Sequence, residues 1–215
     1  MADNYKEKLL QGDWGEWYVQ TELAKRGIDT ALIRKTYDLL IWENDIKIEV
    51  KTSHLHEYRK ERTSFYTFKF QPYQIEKNAF HYAVCLGVDK YKNVLDTYII
   101  PQTAIPDTGL TIHPESGYYQ ATNNDKYKLT KDRWDLLEIK NKSYSMRVRN
   151  KLAYEINNYE KIRKAELKKL FVEVFNDNKI KSHKKASYII DRYGITKTKV
   201  YRLINEWKLK GGDKH

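Results

Sequence analysis

Apolar and polar residues alternate along the first two thirds of the chain in a pattern that predicts one helix followed by strands. Residues 13–27 have helical spacing and end at Gly27, a residue typical of helix stops. Asp13 predicts the N-cap, and Glu16, three positions later, would complete a capping box. Five strand-like runs and one short helix follow, over residues 36–42, 46–52, 64–70, 72–80 (the helix), 81–88 and 94–100. This order predicts an α/β domain.

Residues 101–128 are rich in Pro, Gly, Thr and Asn and predict mostly loop, and the chain after them has helical periodicity. Residues 130–139 predict a closing helix, and 143–159 predict a longer amphipathic one. The apolar stripe of that longer helix consists of Val148, Leu152, Ile156 and Tyr159. Further helical patterns occupy 164–209. Because strands followed by helices are typical of two domains, we expect a domain over 1–140, a linker helix over 141–163 and an all-helical domain over 164–215.

Charge separates the two predicted domains. Residues 1–139 contain 19 Lys and Arg against 21 Asp and Glu, whereas residues 140–215 contain 21 against 8. A segment with such a basic excess is suited to a polyanion, since each phosphate it neutralises releases condensed counterions. A solvated helix face is the alternative explanation.

Composition excludes several classes of protein. An aromatic content of 13% argues against an intrinsically disordered chain. No apolar run approaches the roughly 20 residues of a membrane-spanning helix, and the first residues lack an apolar signal core, so we expect a cytoplasmic protein without a membrane partner. Cys85 is the only cysteine, which excludes an internal disulfide framework and a Cys-rich zinc site.

Asp38, Glu49 and Lys51 form the pattern with the most chemical content. Glu-x-Lys occurs four times, but only Glu49 and Lys51 fall in a predicted strand, where residues two apart share a face. A two-residue hairpin loop would place Asp38 on that same face, whereas a three-residue loop would oppose it to Val50. Two carboxylates suit Mg²⁺, and a lysine beside them can position water or stabilise phosphate charge. A cross-strand ion pair on an exposed sheet face is the alternative.

Three segments together resemble the PD-(D/E)XK nuclease superfamily, which includes restriction enzymes, Holliday junction resolvases and homing endonucleases of group I introns. They are Gly12–Glu16, Tyr37–Leu40 and Ile48–Thr52, within a resemblance that covers roughly residues 10–140. Tyr37 stands where the family name has proline. The resemblance implies a restriction-endonuclease-like αβββαβ core with a central mixed sheet.

The resemblance also implies roles for individual residues. Asp38 and Glu49, with Val50, would bind Mg²⁺, and Lys51 would assist the nucleophile. Glu16 matches a first-helix acid that completes the site in some members, although the capping box explains it equally well. Further candidates are Gln71 and Gln74, just after the third predicted strand.

Residues 189–204 resemble a helix-turn-helix of the resolvase or transposase type. Gly194 would supply the turn and Thr196 the cap of the second helix. The predicted core positions of this helix are Val200, Leu203, Ile204 and Trp207. The predicted DNA-facing positions are Thr196, Lys197, Thr198, Lys199, Tyr201, Arg202 and Asn205. A plain three-helix bundle is the alternative.

These observations predict a Mg²⁺-dependent, site-specific endonuclease of the restriction type that hydrolyses double-stranded DNA. Homing or junction-resolving cleavage is the alternative within this class, and a non-catalytic helix-turn-helix DNA-binding regulator is the alternative from another class. One metal site cuts one strand, so a double-strand break predicts a homodimer. The stripe on helix 143–159 is a possible interface, unless it packs on the nuclease sheet.

Overall fold

The chain forms two compact units, Met1–Asn157 and Asn158–His215. The structure is a computed structural model, and it describes residues 2–34, 36–58, 63–107, 109–114, 124–177, 184–193, 197, 200–202 and 204–205. None of the helices within these residues is long and apolar enough to span a membrane.

The first unit is a mixed α/β structure. The described residues give it eight strands: β1 (Thr30–Leu32), β2 (Leu39–Ile41), β3 (Ile46–His54), β4 (His56–Tyr58), β5 (Thr63–Phe68), β6 (Tyr82–Val88), β7 (Val94–Pro101) and β8 (Leu110–Ile112). Its described helices are α1 (Ala2–Lys25), α2 (Pro72–Glu76) and α3 (Lys142–Asn157). The sequence pattern does not predict β1, β4 or β8, which have three residues each and are too short to show alternation; β2 is equally short but lies within the longer strand-like run 36–42.

A five-stranded sheet in the order β1-β2-β3-β6-β7 forms the centre of this unit. The pairing of β3 with β6 is parallel, and the other pairings are antiparallel, so the sheet is mixed. Every residue of β6 is buried, as its continuous apolar run predicts. A smaller antiparallel sheet has the order β4-β5-β8.

Helix α1 begins at Ala2, about one dozen residues before the start that the sequence predicts at residue 13. Asp13 and Glu16 therefore lie inside the helix, and the predicted N-cap and capping box are wrong. The end of the helix is as predicted: Gly27 has a φ of 71°, and the N–H of Ile28 donates to the carbonyl of Leu23 at 3.0 Å.

Helix α3 packs within the first unit. The Oδ1 atom of Asn141 accepts a hydrogen bond from the N–H of Tyr144 at 2.9 Å and so caps the helix. Leu152 and Ile156 are buried in the main core, and Val148 packs against it. Three residues of the stripe predicted as a dimer interface are thus covered by the chain's own core, whereas the fourth, Tyr159, lies beyond the end of α3. The chain divides after Asn157 rather than near residue 140. The predicted closing helix over 130–139 is also wrong, since only a short 3₁₀ turn, Trp134–Leu136, forms there.

The second unit is helical where the structure describes it. It contains α4 (Tyr159–Asn176) and α5 (Lys185–Tyr193), and residues 197, 200–202 and 204–205 are also helical. Its buried apolar residues are Phe171, Val174, Ile189 and Val200, and Ile204 packs against them. Burial of Val200 and the packing of the partly buried Ile204 agree with the predicted core face of the last helix. The predicted turn at Gly194, and the predicted core residues Leu203 and Trp207, lie outside the described residues.

Candidate active site

The hairpin of β2 and β3 brings Asp38 next to Glu49. Leu39 pairs with Ile48, so Asp38, one position before β2, continues the same register opposite Glu49. The N–H of Asp38 donates to the carbonyl of Ile48 at 2.9 Å, and the N–H of Val50 donates to Oδ2 of Asp38 at 2.7 Å. The register is one that the two-residue loop predicts, and the alternative that opposes Asp38 to Val50 is wrong.

The carboxylate of Glu49 is buried, and only one of its two oxygen atoms has a partner among the described residues. The residue is 2% exposed, and its Oε1 atom pairs with the ammonium group of Lys51. Its Oε2 atom is buried and has no hydrogen-bond partner among the described residues. A buried carboxylate oxygen without a partner is costly, and a bound cation is one way to satisfy it.

Burial affects the pKa of both carboxylates. Burial raises the pKa of Glu49; the charge of Lys51 opposes this effect, and that of Asp38 adds to it. Burial also raises the pKa of Asp38, against the lowering effects of the N–H of Val50 and the charges of Lys51 and Arg34. A divalent cation between two such groups would favour their ionised forms.

Arg34 is a member of this cluster that sequence reasoning missed. Its Nε atom lies 3.0 Å from Oε2 of Glu16, and its Nη2 atom lies 3.2 Å from Oδ1 of Asp13. Burial and then the charge of Asp38 raise the pKa of Glu16, whereas Arg34 lowers it. Glu16 is therefore within electrostatic reach of Asp38, and it is held by an ion pair rather than by a capping box. Arg34 has a φ of 52°, and no periodic pattern would single it out.

Gln74 also reaches the site, whereas Gln71 lies at its edge. Gln74 is buried on α2, where its Nε2 atom donates to the carbonyl of Thr36 at 3.2 Å. Its amide lowers the pKa of Glu49, so the two side chains are close. Gln71 is exposed, and its N–H donates to Oε1 of Gln74 at 3.3 Å.

The residues present fit a magnesium ion with few protein ligands. The two carboxylates provide hard oxygen atoms, and the predicted contribution of Val50 could come only from its main-chain oxygen, since its side chain is apolar. The described residues contain no group of three or more His, Cys, Asp or Glu able to hold a metal ion. Mg²⁺ does not require such a group, because it is usually held through one or two carboxylates and keeps several waters.

The described members of the predicted DNA-facing set are exposed. They are Lys197, Tyr201, Arg202 and Asn205, and Tyr201 is 47% exposed. The Nζ atom of Lys197 lies 5.9 Å from the centre of the Tyr201 ring. Thr196, Thr198 and Lys199 lie outside the described residues.

Comparison with known proteins gives a partial structural match. No protein-family model matches the chain, and no curated protein matches it. Among the solved structures that resemble it is that of a bacterial homing endonuclease, I-Ssp6803I, at 16% sequence identity and a TM-score of 0.43. The match covers 60% of this chain and 90% of that chain. A similarity of this degree says nothing about the activity of the present chain.

Proposed function

We propose that the protein is a metal-dependent DNA endonuclease, with Asp38, Glu49 and Lys51 at its catalytic centre. The observation that carries this proposal is the unpartnered Oε2 atom of Glu49, buried beside Asp38 and Lys51. A cross-strand ion pair on an exposed sheet face would leave no carboxylate oxygen both buried and unsatisfied. We further propose that the first unit is a PD-(D/E)XK core and that the second unit is a helix-turn-helix DNA reader.

Each residue has a distinct role in this mechanism. Asp38 and Glu49, with the main-chain oxygen of Val50, would hold Mg²⁺, which when bound stabilises negative charge on the phosphate. Lys51 is 27% exposed at its side chain and keeps its ammonium group beside Glu49, where it can donate a hydrogen bond to an attacking water or a phosphate oxygen. Glu16, linked to Arg34, adds a third carboxylate near Asp38.

A nuclease assay on mixed plasmid and phage DNA, with Mg²⁺ or EDTA, tests this function. We expect discrete fragments with Mg²⁺ and intact DNA with EDTA. The variant E49Q should lose cleavage, whereas the control E57Q should keep it, because Glu57 is an exposed residue of β4 outside the cluster. Intact DNA in both buffers, together with a salt-sensitive gel shift, would instead indicate a non-catalytic regulator.

The fragment pattern also separates the alternatives within the nuclease class. We propose the restriction type, for which short recurring sites are expected. One long site would indicate homing cleavage, and cleavage confined to four-way junctions would indicate a resolving enzyme.

We expect a homodimer as the working unit, because two strands need two sites. Light scattering of the DNA-free protein tests this expectation. A particle of 25.8 kDa that nicks one strand of its site would contradict it.

A further inference from the structure

A small cavity lies between α3 and the first residues of β3 and β6. It is lined by Asn44, Ile46, His81, Tyr82, Lys142, Ser145, Met146 and Arg149. Ile46 and Glu49 are three positions apart in β3 and therefore point to opposite faces of the sheet. The cavity is thus separate from the candidate active site, and none of the side chains that line it is acidic.

Two buried donors of this cavity have no partner. The hydroxyl oxygen of Tyr82 and the Nε atom of Arg149 are buried, and neither forms a hydrogen bond with any described residue. Tyr82 is fully buried, and burial raises its pKa to about 12, although Ser145, which is also buried, lies close enough to its hydroxyl to oppose this effect. Arg149 forms no ion pair within the described part of the chain. Buried polar groups are rarely left in this state without a ligand or an ordered water.

His81 contributes a further donor. Its Nδ1 atom accepts a hydrogen bond from the N–H of Lys47 at 3.1 Å. Burial, followed by the charges of Arg149, Lys47 and Lys142, lowers the pKa of His81 to about 4, although Asp45 opposes this. The ring is therefore neutral at pH 7 and carries its proton on Nε2, since Nδ1 acts as the acceptor.

The charge around the cavity is positive. Arg149 and Lys142 both line it, and their charges add to the effect of burial in lowering the pKa of His81. Two acids act on the lining residues: Asp45, whose Oδ2 atom lies 2.9 Å from Nζ of Lys142 at an exposed position, and Asp135, whose charge acts on Tyr82. Asn44 does not compete for a ligand, because its amide is already bonded to the carbonyl of Ile139 at 2.8 Å and to the N–H of Ile46 at 3.2 Å.

We propose that this cavity binds a single phosphate group through the hydroxyls of Tyr82 and Ser145 and the cationic side chains of Arg149 and Lys142. The set consists of donors and positive charges, which is the complement of an oxyanion. The phosphate could come from the DNA backbone or from a free phosphate, and the experiment below distinguishes the two sources. The proposal does not depend on the candidate active site.

Thermal unfolding of the full chain in phosphate, against chloride at equal ionic strength, tests the proposal. A ligand that binds the folded state raises the unfolding midpoint as its concentration increases. We expect this rise for the wild type and for the control R147Q, which removes an exposed charge from the same helix. The variant R149Q should show only the smaller, non-specific rise that phosphate causes by its exclusion from protein surfaces. An equal response of R149Q and R147Q would overturn the proposal.

The variant Y82F tests the proposal independently if R149Q folds poorly. Phenylalanine removes only the unpartnered hydroxyl, so the midpoint in chloride should stay the same or increase. Phosphate affinity, measured by calorimetry, should fall about tenfold, the loss expected for one hydrogen bond to a charged group. Unchanged affinity in Y82F would overturn the proposed role of Tyr82.

Binding of a short DNA duplex identifies the source of the phosphate. If the DNA backbone occupies the cavity, R149Q should bind the duplex more weakly than R147Q does, and its salt slope should fall by about one. Inorganic phosphate should then compete with DNA for the wild type. If DNA binding is equal in both variants while the thermal response is lost only in R149Q, the ligand is a free phosphate.

Discussion

Replacement of Gly15 by alanine is expected to damage both the stability and the active-site geometry of the protein. A Cβ atom at Gly15 would come closer than 3.0 Å to Oγ1 of Thr52, and would lie 3.5 Å from Cγ1 of Val50 and 3.8 Å from Cδ1 of Leu86. Helix α1 thus approaches β3 at a point where only glycine fits. The next residue is Glu16, so movement of the helix would also shift its carboxylate.

The size of the stability loss in G15A follows from this geometry. Overpacking in a well-packed core costs about 1–3 kcal/mol. Thr52 cannot easily turn away, because β-branched side chains have restricted χ1 angles. Alanine at Gly12 meets no atom within 4 Å and should stabilise the same helix by up to about 1 kcal/mol. The two glycines of the Gly12–Glu16 segment are therefore expected to respond in opposite directions.

Urea unfolding of G12A, G15A and the double variant G15A/T52A provides the assay. The double variant should recover much of the stability lost in G15A, because it removes the atom that the new Cβ would meet. The nuclease rate of G15A, measured where it is folded, should fall relative to that of G12A. Equal stability of G12A and G15A, or no recovery in the double variant, would refute the close approach of α1 to β3.

Three further predictions concern separate parts of the molecule. Burial raises the pKa of Glu49 above its ordinary value of 4.5. The wild type should therefore lose stability relative to E49Q as the pH increases from 4.5 towards neutrality, because the buried carboxyl must then ionise. Urea unfolding midpoints at several pH values will check this. Alanine at Gly87 would place its Cβ within 3.0 Å of three ring atoms of Tyr66, so G87A should lose about 3 kcal/mol or more, and thermal unfolding by circular dichroism will show it. R202A should weaken binding to the preferred DNA site by about 1–3 kcal/mol if Arg202 contacts a base edge, and an equal loss on unrelated DNA would show a phosphate contact instead.

The hairpin could be predicted from the sequence because its apolar residues alternate. Leu39, Ile41, Ile48 and Val50 are all buried, and their alternation limits the register to those that place Asp38 on the face of Glu49. The helical nature of the second unit was also predictable, since α5 and the residues around Val200 have clear amphipathic spacing.

The rest of the candidate site and the structure of residues 130–139 could not be predicted, because they depend on contacts that no local sequence pattern contains. Glu16 and Arg34 are 18 positions apart, and their ion pair forms only when α1 lies beside the turn that precedes β2. Asp13 and Glu16 match a capping box by spacing, but the helix starts earlier, so the match was accidental. The residues of 130–139 have helical composition, yet Lys131 forms an ion pair with Asp96 and a bridge to Tyr98. Tertiary pairing with β7 overrides the local preference there.

The hydrogen bond from Val50 to Asp38 links correct folding of the hairpin to assembly of the reactive cluster. The strand that carries Glu49 also supplies the N–H that orients Asp38. A slip of one residue would exchange the faces of the strand and bury charges where Ile48 and Val50 now pack. Correct packing of the hydrophobic core therefore ensures correct assembly of the site. When the apolar residues of this hairpin are buried, the same register brings its two carboxylates together.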